Sequence, residues 1–355
     1  MPQRVVGIDI GNTGVRAAEV QDPHKAGGTV IRYGEVALPE GAVRDGDVHE
    51  VNNVANALRQ LWSEAGFKTK DVVFGVGNHK VLARELSMPK MPLPRIRESL
   101  PFQVQDLLPV PVSEALLDFY PISEGEGDAG PVIHGLLIAA VKEPIEQKVA
   151  AARLAGLNPV GVDLVPFALS RVLLTGDSAK GSVALIDVGE MTTIVVVARD
   201  GVPGFVRIIP AGGSDVTRAL ADRLDLPIDE AERLKRMVGL VASPKAPEGL
   251  STTAYEAVLE IVFSVTSEML SGLRNTLAYY SANGGDQIER ILLTGGAGRM
   301  PGFSDALHEL TRIPVAEGTP LAGLSLAKNL REREPESGWG AMTVAVGLAS
   351  GGAER

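Results

Sequence analysis

Two stretches of this chain repeat one device. Val6-Gly7-Ile8-Asp9-Ile10-Gly11 and Leu185-Ile186-Asp187-Val188-Gly189 both read apolar–Asp–apolar–Gly, and their aspartates stand 178 residues apart, at 9 and 187. In the first, β-rich runs at 4–10 and 15–20 flank Gly11-Asn12-Thr13-Gly14; in the second, the β-rich span 183–199 is interrupted at Asp187-Val188-Gly189-Glu190. Each is the signature of a hairpin. A strand–turn–strand unit recurring at this distance predicts two similar halves, each opening in the same way. The 355 residues leave room for two ordinary domains or one large α/β unit.

Several other classes are removed quickly. The apolar share of 45% and charged share of 22% are those of a globular chain. The chain has no cysteine, which excludes disulfide scaffolds, thiolate metal sites and cysteine nucleophiles and fits a reducing cytoplasm. Its longest apolar run, Leu136 to Val141, is far short of the roughly 20 residues of a spanning helix. Met1 to Val20 holds Asp9 and lacks a basic start and an apolar block, so no signal peptide and no direct membrane insertion are expected. Formal net charge is −10, from 44 acids and 34 bases, which argues against nucleic acid as a partner. The five histidines have no ligand spacing, and neither a G-x-S-x-G elbow nor a G-x-x-x-x-G-K-[ST] loop occurs. Gly296-Ala297-Gly298 starts a dinucleotide pattern, but Pro301 stands where its third glycine belongs.

Between the echoes the texture changes. Val51 to Trp62 has helical apolar spacing and stops at Gly66, and Asp71 to Val76 reads as a strand. From about residue 83 a β-α-β-β-α block follows: proline-punctuated Met88 to Pro94, a helix near 95–107, strands at 115–122 and 132–141 about the turn-rich Glu124 to Gly130, and a helix over 144–155. It is the size of an inserted module. After the second hairpin come helices at 214–224 and about 228–238, a long one at about 251–281, and a strand at 290–293 running into Thr294-Gly295-Gly296-Ala297-Gly298.

The chemistry lies in the turns. A strand that delivers an aspartate to a glycine-rich turn places backbone N–H groups where they can hold phosphate oxygens. Gly11 and Gly14 permit the close approach, Asn12 and Thr13 offer side-chain donors, and Arg16 on the returning strand can reach phosphate. Gly189, Thr192 and Thr193 repeat the parts beside Asp187. Asp9 and Asp187 are suited to hold the waters of a magnesium ion, which uses few protein ligands. Gly295 and Gly296 offer bare backbone on which a ribose and adenine can lie. One Asp-x-Gly alone is more often a plain hairpin turn, and one strand–Gly–Gly–helix passage alone is as often a routine loop; two turns and this floor, in this order, point to a nucleotide.

On Val5 to Thr13, Ala184 to Thr193 and Ile291 to Met300 the chain resembles the actin-like ATPase superfamily, which implies an α/β, two-lobed fold with a duplicated core and Mg-ATP in the cleft. Leu86-Ser87-Met88-Pro89-Lys90-Met91-Pro92, Leu107 to Pro111, Asp118-Phe119-Tyr120 and Val160-Gly161-Val162-Asp163 resemble the PilM family of type IV pilus assembly proteins within it. The resemblance implies a first lobe core at 1–82, completed by 159–180 and 326–355, and an inserted subdomain at 83–158. It implies a second lobe core at 181–209, completed by 285–325, with an outer subdomain at 210–284. It adds Gly212, Gly213 and Met300 to the cofactor set, and puts Glu232 and Lys235 of Asp229 to Lys235 beside ribose and adenine; from residues alone, Glu232 could equally form a surface pair with Arg236. It names Asp187 as the catalytic residue, with Asp9 and Asp187 on magnesium through water.

The same resemblance implies a PilN-like amino-terminal peptide as partner, other pilus machinery beside it, and a cytoplasmic place at the inner face of the membrane through partners. Departures bear on activity. Arg16 stands where the family usually has lysine. Glu190 puts an acid inside the second turn, expected to turn away from the phosphates. Pro166 and Ile194 stand where actin-like enzymes orient the attacking water, although Asp163 could help if its helix brings it close. Slow hydrolysis or none is expected. The alternatives are an FtsA-like division protein, disfavoured by a tail after Ala349 without an apolar face, and an actin-fold small-molecule kinase, which needs an acceptor base the motifs do not supply.

Overall fold

In the computed structural model, which describes residues 4–22, 28–128, 130–241 and 246–351, the echo in sequence is an echo in topology. Ala129 of the Glu124–Gly130 turn and the last four residues of the tail lie outside the described residues. Strand Arg4–Ile10 pairs antiparallel with Gly14–Gln21, which pairs with Thr29–Ala37. On its other side it pairs parallel with Asp71–Val76, and that strand with Asn158–Leu164. The second sheet repeats this order. Ser182–Val188 pairs antiparallel with Thr193–Arg199, then Val202–Ile209, and parallel with Arg290–Thr294, then Val315–Glu317. A short outer strand, Ser325–Leu326, makes the first sheet six-stranded against five in the second.

The central strands read as continuous apolar runs because both faces are covered; all seven residues of Ser182–Val188 are buried. On the first sheet, helix Val51–Ala65 packs Val54, Leu58 and Leu61 with Ile8 and Phe74, and ends at Gly66 in the left-handed conformation. Across the sheet lie helices Val165–Leu173 and Thr343–Gly351. The second of these comes so close that a Cβ at Gly7 would stand 2.1 Å from the Ala345 carbonyl oxygen, so only glycine fits. The second sheet carries helices Gly213–Leu224, Ile228–Val238 and the 31-residue Thr252–Ala282, whose first turn is capped by Ser251 Oγ accepting from Ala254 N–H at 3.2 Å.

The β-α-β-β-α block forms a three-stranded antiparallel sheet, with Gly130–Val141 between Val81–Pro89 and Ala115–Gly127, covered by helix Leu93–Gln103. It has its own small core of Met88, Ile96, Leu100, Val104, Phe119 and Leu137. Its last helix does not join that core. Lys142–Leu154 packs Ala151 and Ala152 into the first half beside Leu58 and Phe74, because its apolar stripe matches the face of that sheet.

Candidate functional site

The two hairpin turns are built alike. Gly11 N–H donates to Gly14 O at 3.0 Å, and Gly189 N–H to Thr192 O at 2.9 Å, so each turn spans four residues beyond its aspartate-bearing strand. Across the ladder Asp9 faces Arg16, and Asp187 faces Ile194. The hairpins approach each other closely enough for Asp9 to act electrostatically on Asp187, with Arg16 acting on both. Asp187 is only 9% exposed. Among the described residues no hydrogen bond or ion pair is made to either carboxylate. Burial pushes Asp187 up to about 7, the Asp9 charge adds to this, and Arg16 opposes it. Asp9 is likewise raised by burial, against the pull of Arg16 and Lys148.

Arg16 is held from behind. Its Nε lies 3.6 Å from Glu35 Oε2 and 3.4 Å from Ser337 Oγ, while Nη1 is the side-chain atom nearest to where a Gly11 Cβ would stand, at 4.0 Å. Asn12 Oδ1 accepts from Gly46 N–H at 3.0 Å, which ties the first turn to the Asp45–Gly46 corner. Thr13 Oγ1 donates to Glu190 Oε2 at 2.9 Å. Glu190, expected to turn away, instead reaches from one turn to the other, because the two turns face each other. Thr192 closes the second turn with its carbonyl. Thr193 is fully buried and donates its hydroxyl to Ala211 O at 2.8 Å. Successive strand residues point to opposite faces, so that hydroxyl is spent inside the protein rather than offered to a ligand.

The second lining comes from helix starts. Gly213 N–H donates to Gly189 O at 3.0 Å and Ser214 N–H to Glu190 O at 2.9 Å, fastening the start of helix Gly213–Leu224 to the second turn. Gly295, at φ +90°, could not carry a side chain: a Cβ would lie 2.4 Å from Val188 O and 2.7 Å from Asp187 Oδ1. At Gly296 a Cβ would meet nothing within 4 Å. Met300 is buried in the second-half core, a wall residue rather than a polar contact. Lys235, 6% exposed, donates to Gly213 O at 3.1 Å, Thr217 Oγ1 at 2.9 Å and Glu232 Oε2 at 2.5 Å. Glu232 also accepts from Arg236 Nε at 2.7 Å, so the pair at i and i+4 forms as well. Burial disfavours its charge, but hydrogen bonds from Lys235, Thr217 and Arg236 outweigh that and hold it at about 2. Asp163 is not delivered to the turns: Oδ2 pairs with Arg171 Nη2 at 2.9 Å and Oδ1 accepts from Leu164 N–H at 2.8 Å.

The family model for type IV pilus assembly protein PilM matches residues 7–352. The chain belongs to the PilM family. This PilM-family chain is also similar to the cell division protein FtsA of Bacillus subtilis, at 23% identity over 89% of this chain and 78% of the relative. Against FtsA of Neisseria meningitidis identity is 24%, over 91% and 86%. Among solved structures it resembles a chain of a PilM–PilN type IV pilus biogenesis complex, with a TM-score of 0.83, 24% identity and 99% of both chains covered. It also resembles MreB5 of Spiroplasma citri bound to AMPPNP, at TM-score 0.53 and 11% identity over 97% and 94%. The actin-like fold is thereby shown. Among the described residues no helix is long and apolar enough to cross a membrane, and no group of three or more His, Cys, Asp or Glu could hold a metal.

One residue of the site escaped the sequence reading. Lys148, 7% exposed, donates to Gly75 O at 3.2 Å at the carboxyl end of the strand beside Asp9. Burial lowers its pKa, while Asp9 and Asp47 draw it back. The signal was available: Ile145, Lys148 and Ala152 share one helical stripe, and a lysine inside an apolar stripe must meet acids or carbonyls.

Proposed function

We propose that this PilM-family chain is an ATP-holding scaffold of type IV pilus assembly, a switch with slow hydrolysis or none, that captures the amino-terminal peptide of a PilN-like membrane protein. One observation carries the nucleotide half of the reading: two carboxylates without a hydrogen bond among the described residues, Asp9 and the buried Asp187, act on each other and on Arg16 where two glycine turns face each other. Uncompensated buried charge is costly, so such a pair is retained where a cation will answer it. The donor set is all oxygen and small in number, which fits magnesium held through its own waters. Backbone N–H groups of the turns and Arg16 would hold phosphate, and Asp9 and Asp187 the waters of the metal. Gly212, Gly213 and the open ground at Gly296 would floor the ribose and base, with Glu232 and Lys235 beside them. Bound magnesium would supply the charge neutralisation that lets a phosphate tail approach two acids.

The scaffold half rests on family membership, the inserted module and the likeness to a chain of the PilM–PilN complex. The module offers sheet edges and a helix of the kind that accept an extended peptide. In this reading the protein sits at the inner face of the membrane through that partner. The test of the nucleotide half is thermal stability with Mg-ATP, ATP in EDTA, and magnesium alone. The expected result is a shift for Mg-ATP that neither component gives singly; an equal shift for ATP in EDTA would remove the carboxylates from the site.

A further inference from the structure

Outside the two turns lies a second cluster of buried charge. Asp47, 8% exposed, accepts from Asn78 Nδ2 at 2.8 Å and from Lys80 Nζ at 2.5 Å, and Lys148 acts on it electrostatically. Asp47, Asn78, Lys80 and Lys148 line one small cavity with Val141 and Ile145. These are not arbitrary places. The chain enters the inserted module through Asn78–Val81 and leaves it through Val141–Lys142, and Val141 N–H donates to Lys80 O at 3.4 Å. The cavity therefore sits at the root of the module.

The other side of the cluster faces the first phosphate turn. Asp47 follows Gly46, whose N–H is held by Asn12 Oδ1, and Asn78 Nδ2 also donates to Asp45 O at 3.1 Å. Lys148, anchored on Gly75 O, is drawn electrostatically by both Asp9 and Asp47. Hydrogen bonds and chain succession thus link Asn12, Gly46, Asp47 and Lys80, from the turn to the module's entry, with Lys148 acting electrostatically on Asp9 and Asp47.

We propose that Asp47 is a positioning residue that couples the first phosphate turn to the root of the inserted module, so that filling the turn with phosphate reorients the module. The physical basis is that Asp47 makes its ion pair with Lys80 at the module's entry and also lies in the field of Lys148, on the helix that packs into the first half. Phosphate arriving at the turn draws the Asn12 Nδ2 donor and the field of Lys148, which shifts the amide whose Oδ1 holds Gly46 N–H and leaves Asp47 to Lys80. Coupling of this kind is a free energy shared by two sites through a bistable contact. It rests on the nucleotide reading above and names the regulation of that same site.

The test uses the full chain and exploits its lack of cysteine. Spin labels at introduced cysteines, Gln60→Cys on the first-half helix and Glu98→Cys on the module helix, both exposed positions, report the distance between the bodies by pulsed electron resonance. Mg-ATP binding is measured on the same samples. The expected result is a change in the distance distribution on adding Mg-ATP that is lost in Lys80→Met and in Asp47→Asn, while Lys80→Met binds Mg-ATP within about threefold of wild type. Lys80 is partly exposed and its replacement leaves the core intact, so it guards against a variant that merely misfolds. A distance that changes equally in Lys80→Met and wild type overturns the coupling. So does a wild type that binds Mg-ATP without any change in distance. A wild type that binds no Mg-ATP overturns the nucleotide reading and the coupling with it.

Discussion

Asp187→Asn should make the ligand-free protein more stable at pH 8 and blind to Mg-ATP. The folded protein holds the Asp187 carboxyl at about 7 against an ordinary value of 3.8, with burial as the main cause and Asp9 the second. A folded-state pKa above the unfolded one means that the folded state binds the proton more tightly. Its stabilising contribution is therefore complete below pH 4 and declines by about 1.4 kcal/mol per pH unit until about pH 7, where the carboxylate is ionised in both states. Over roughly three units the ionised form costs about 4 kcal/mol. Asparagine keeps the shape and removes the charge. At an unfolding entropy of about 2.1 cal/mol/K per residue, 4 kcal/mol on a chain of this length is about 5 °C in Tm. Differential scanning fluorimetry from pH 4.5 to 8.5 should show the variant's advantage growing from near zero to that value. Mg-ATP at a hundredfold excess over its Kd should add about 2.7 kcal/mol to wild type and nothing to the variant. A variant less stable than wild type at pH 8, or an advantage independent of pH, would refute the argument that Asp187 is a charge held in reserve for a cation.

Three further outcomes follow from the geometry. Gly296→Val, placed where a Cβ meets nothing within 4 Å, should leave the ligand-free Tm within about 1 °C yet abolish the Mg-ATP shift, as surface changes clear of such features are small; a preserved shift would move the base elsewhere. ATP turnover should fall well below the roughly 1–100 s⁻¹ of working kinases, because Ile194 faces Asp187 and Asp163 is engaged by Arg171; a rate in that range, lost in Asp187→Asn, would favour an active enzyme. Replacing the module between Lys80 and Val141, whose backbones already meet at 3.4 Å, with a short linker should abolish capture of a PilN-like peptide in a pull-down while Mg-ATP binding survives; retained capture would place the peptide elsewhere.

The helices of the second half were legible almost to the residue, since 214–224, 228–238 and 251–281 have clear apolar spacing and the structure ends them at Leu224, Val238 and Ala282. The hairpins were legible because the turn residues repeat. The third strands of both meanders, Thr29–Ala37 and Val202–Ile209, were not. The first is half-buried along most of its length and has no apolar alternation, and the second carries Pro203 and Gly204, which read as turn residues but are tolerated near a sheet edge. Thr192 and Thr193 look alike in sequence because both are hydroxyl residues at the turn; the two-residue period of the strand that Thr193 opens sends its hydroxyl inward to Ala211 O. The place of helix Lys142–Leu154 in sequence points to the module, while its alanines belong to a sheet that sequence order alone does not bring near.

The duplication explains why the site is asymmetric where it counts. With a constant offset of 178, Asp9 corresponds to Asp187 and Gly11 to Gly189, and the two turns close with the same hydrogen bond. Three other equivalences set the charge of the two turns, Asn12 against Glu190, Thr13 against Met191 and Arg16 against Ile194, while Gly14 and Val15 stand against the hydroxyls of Thr192 and Thr193. Each of these three differences removes a polar or cationic group from the second turn or adds an acid there. The first turn can therefore attract an anion, with Arg16 and the field of Lys148 behind it, while the second holds an acid pair partner and an apolar wall. Two identical basic turns would bind phosphate without a metal, and two identical acidic ones would bind metal without phosphate. Divergence after duplication leaves one of each facing the other, and in the proposed function a cation held between them would complete the set. The Thr13–Glu190 hydrogen bond is where the unlike turns meet directly, donor from one and acceptor from the other.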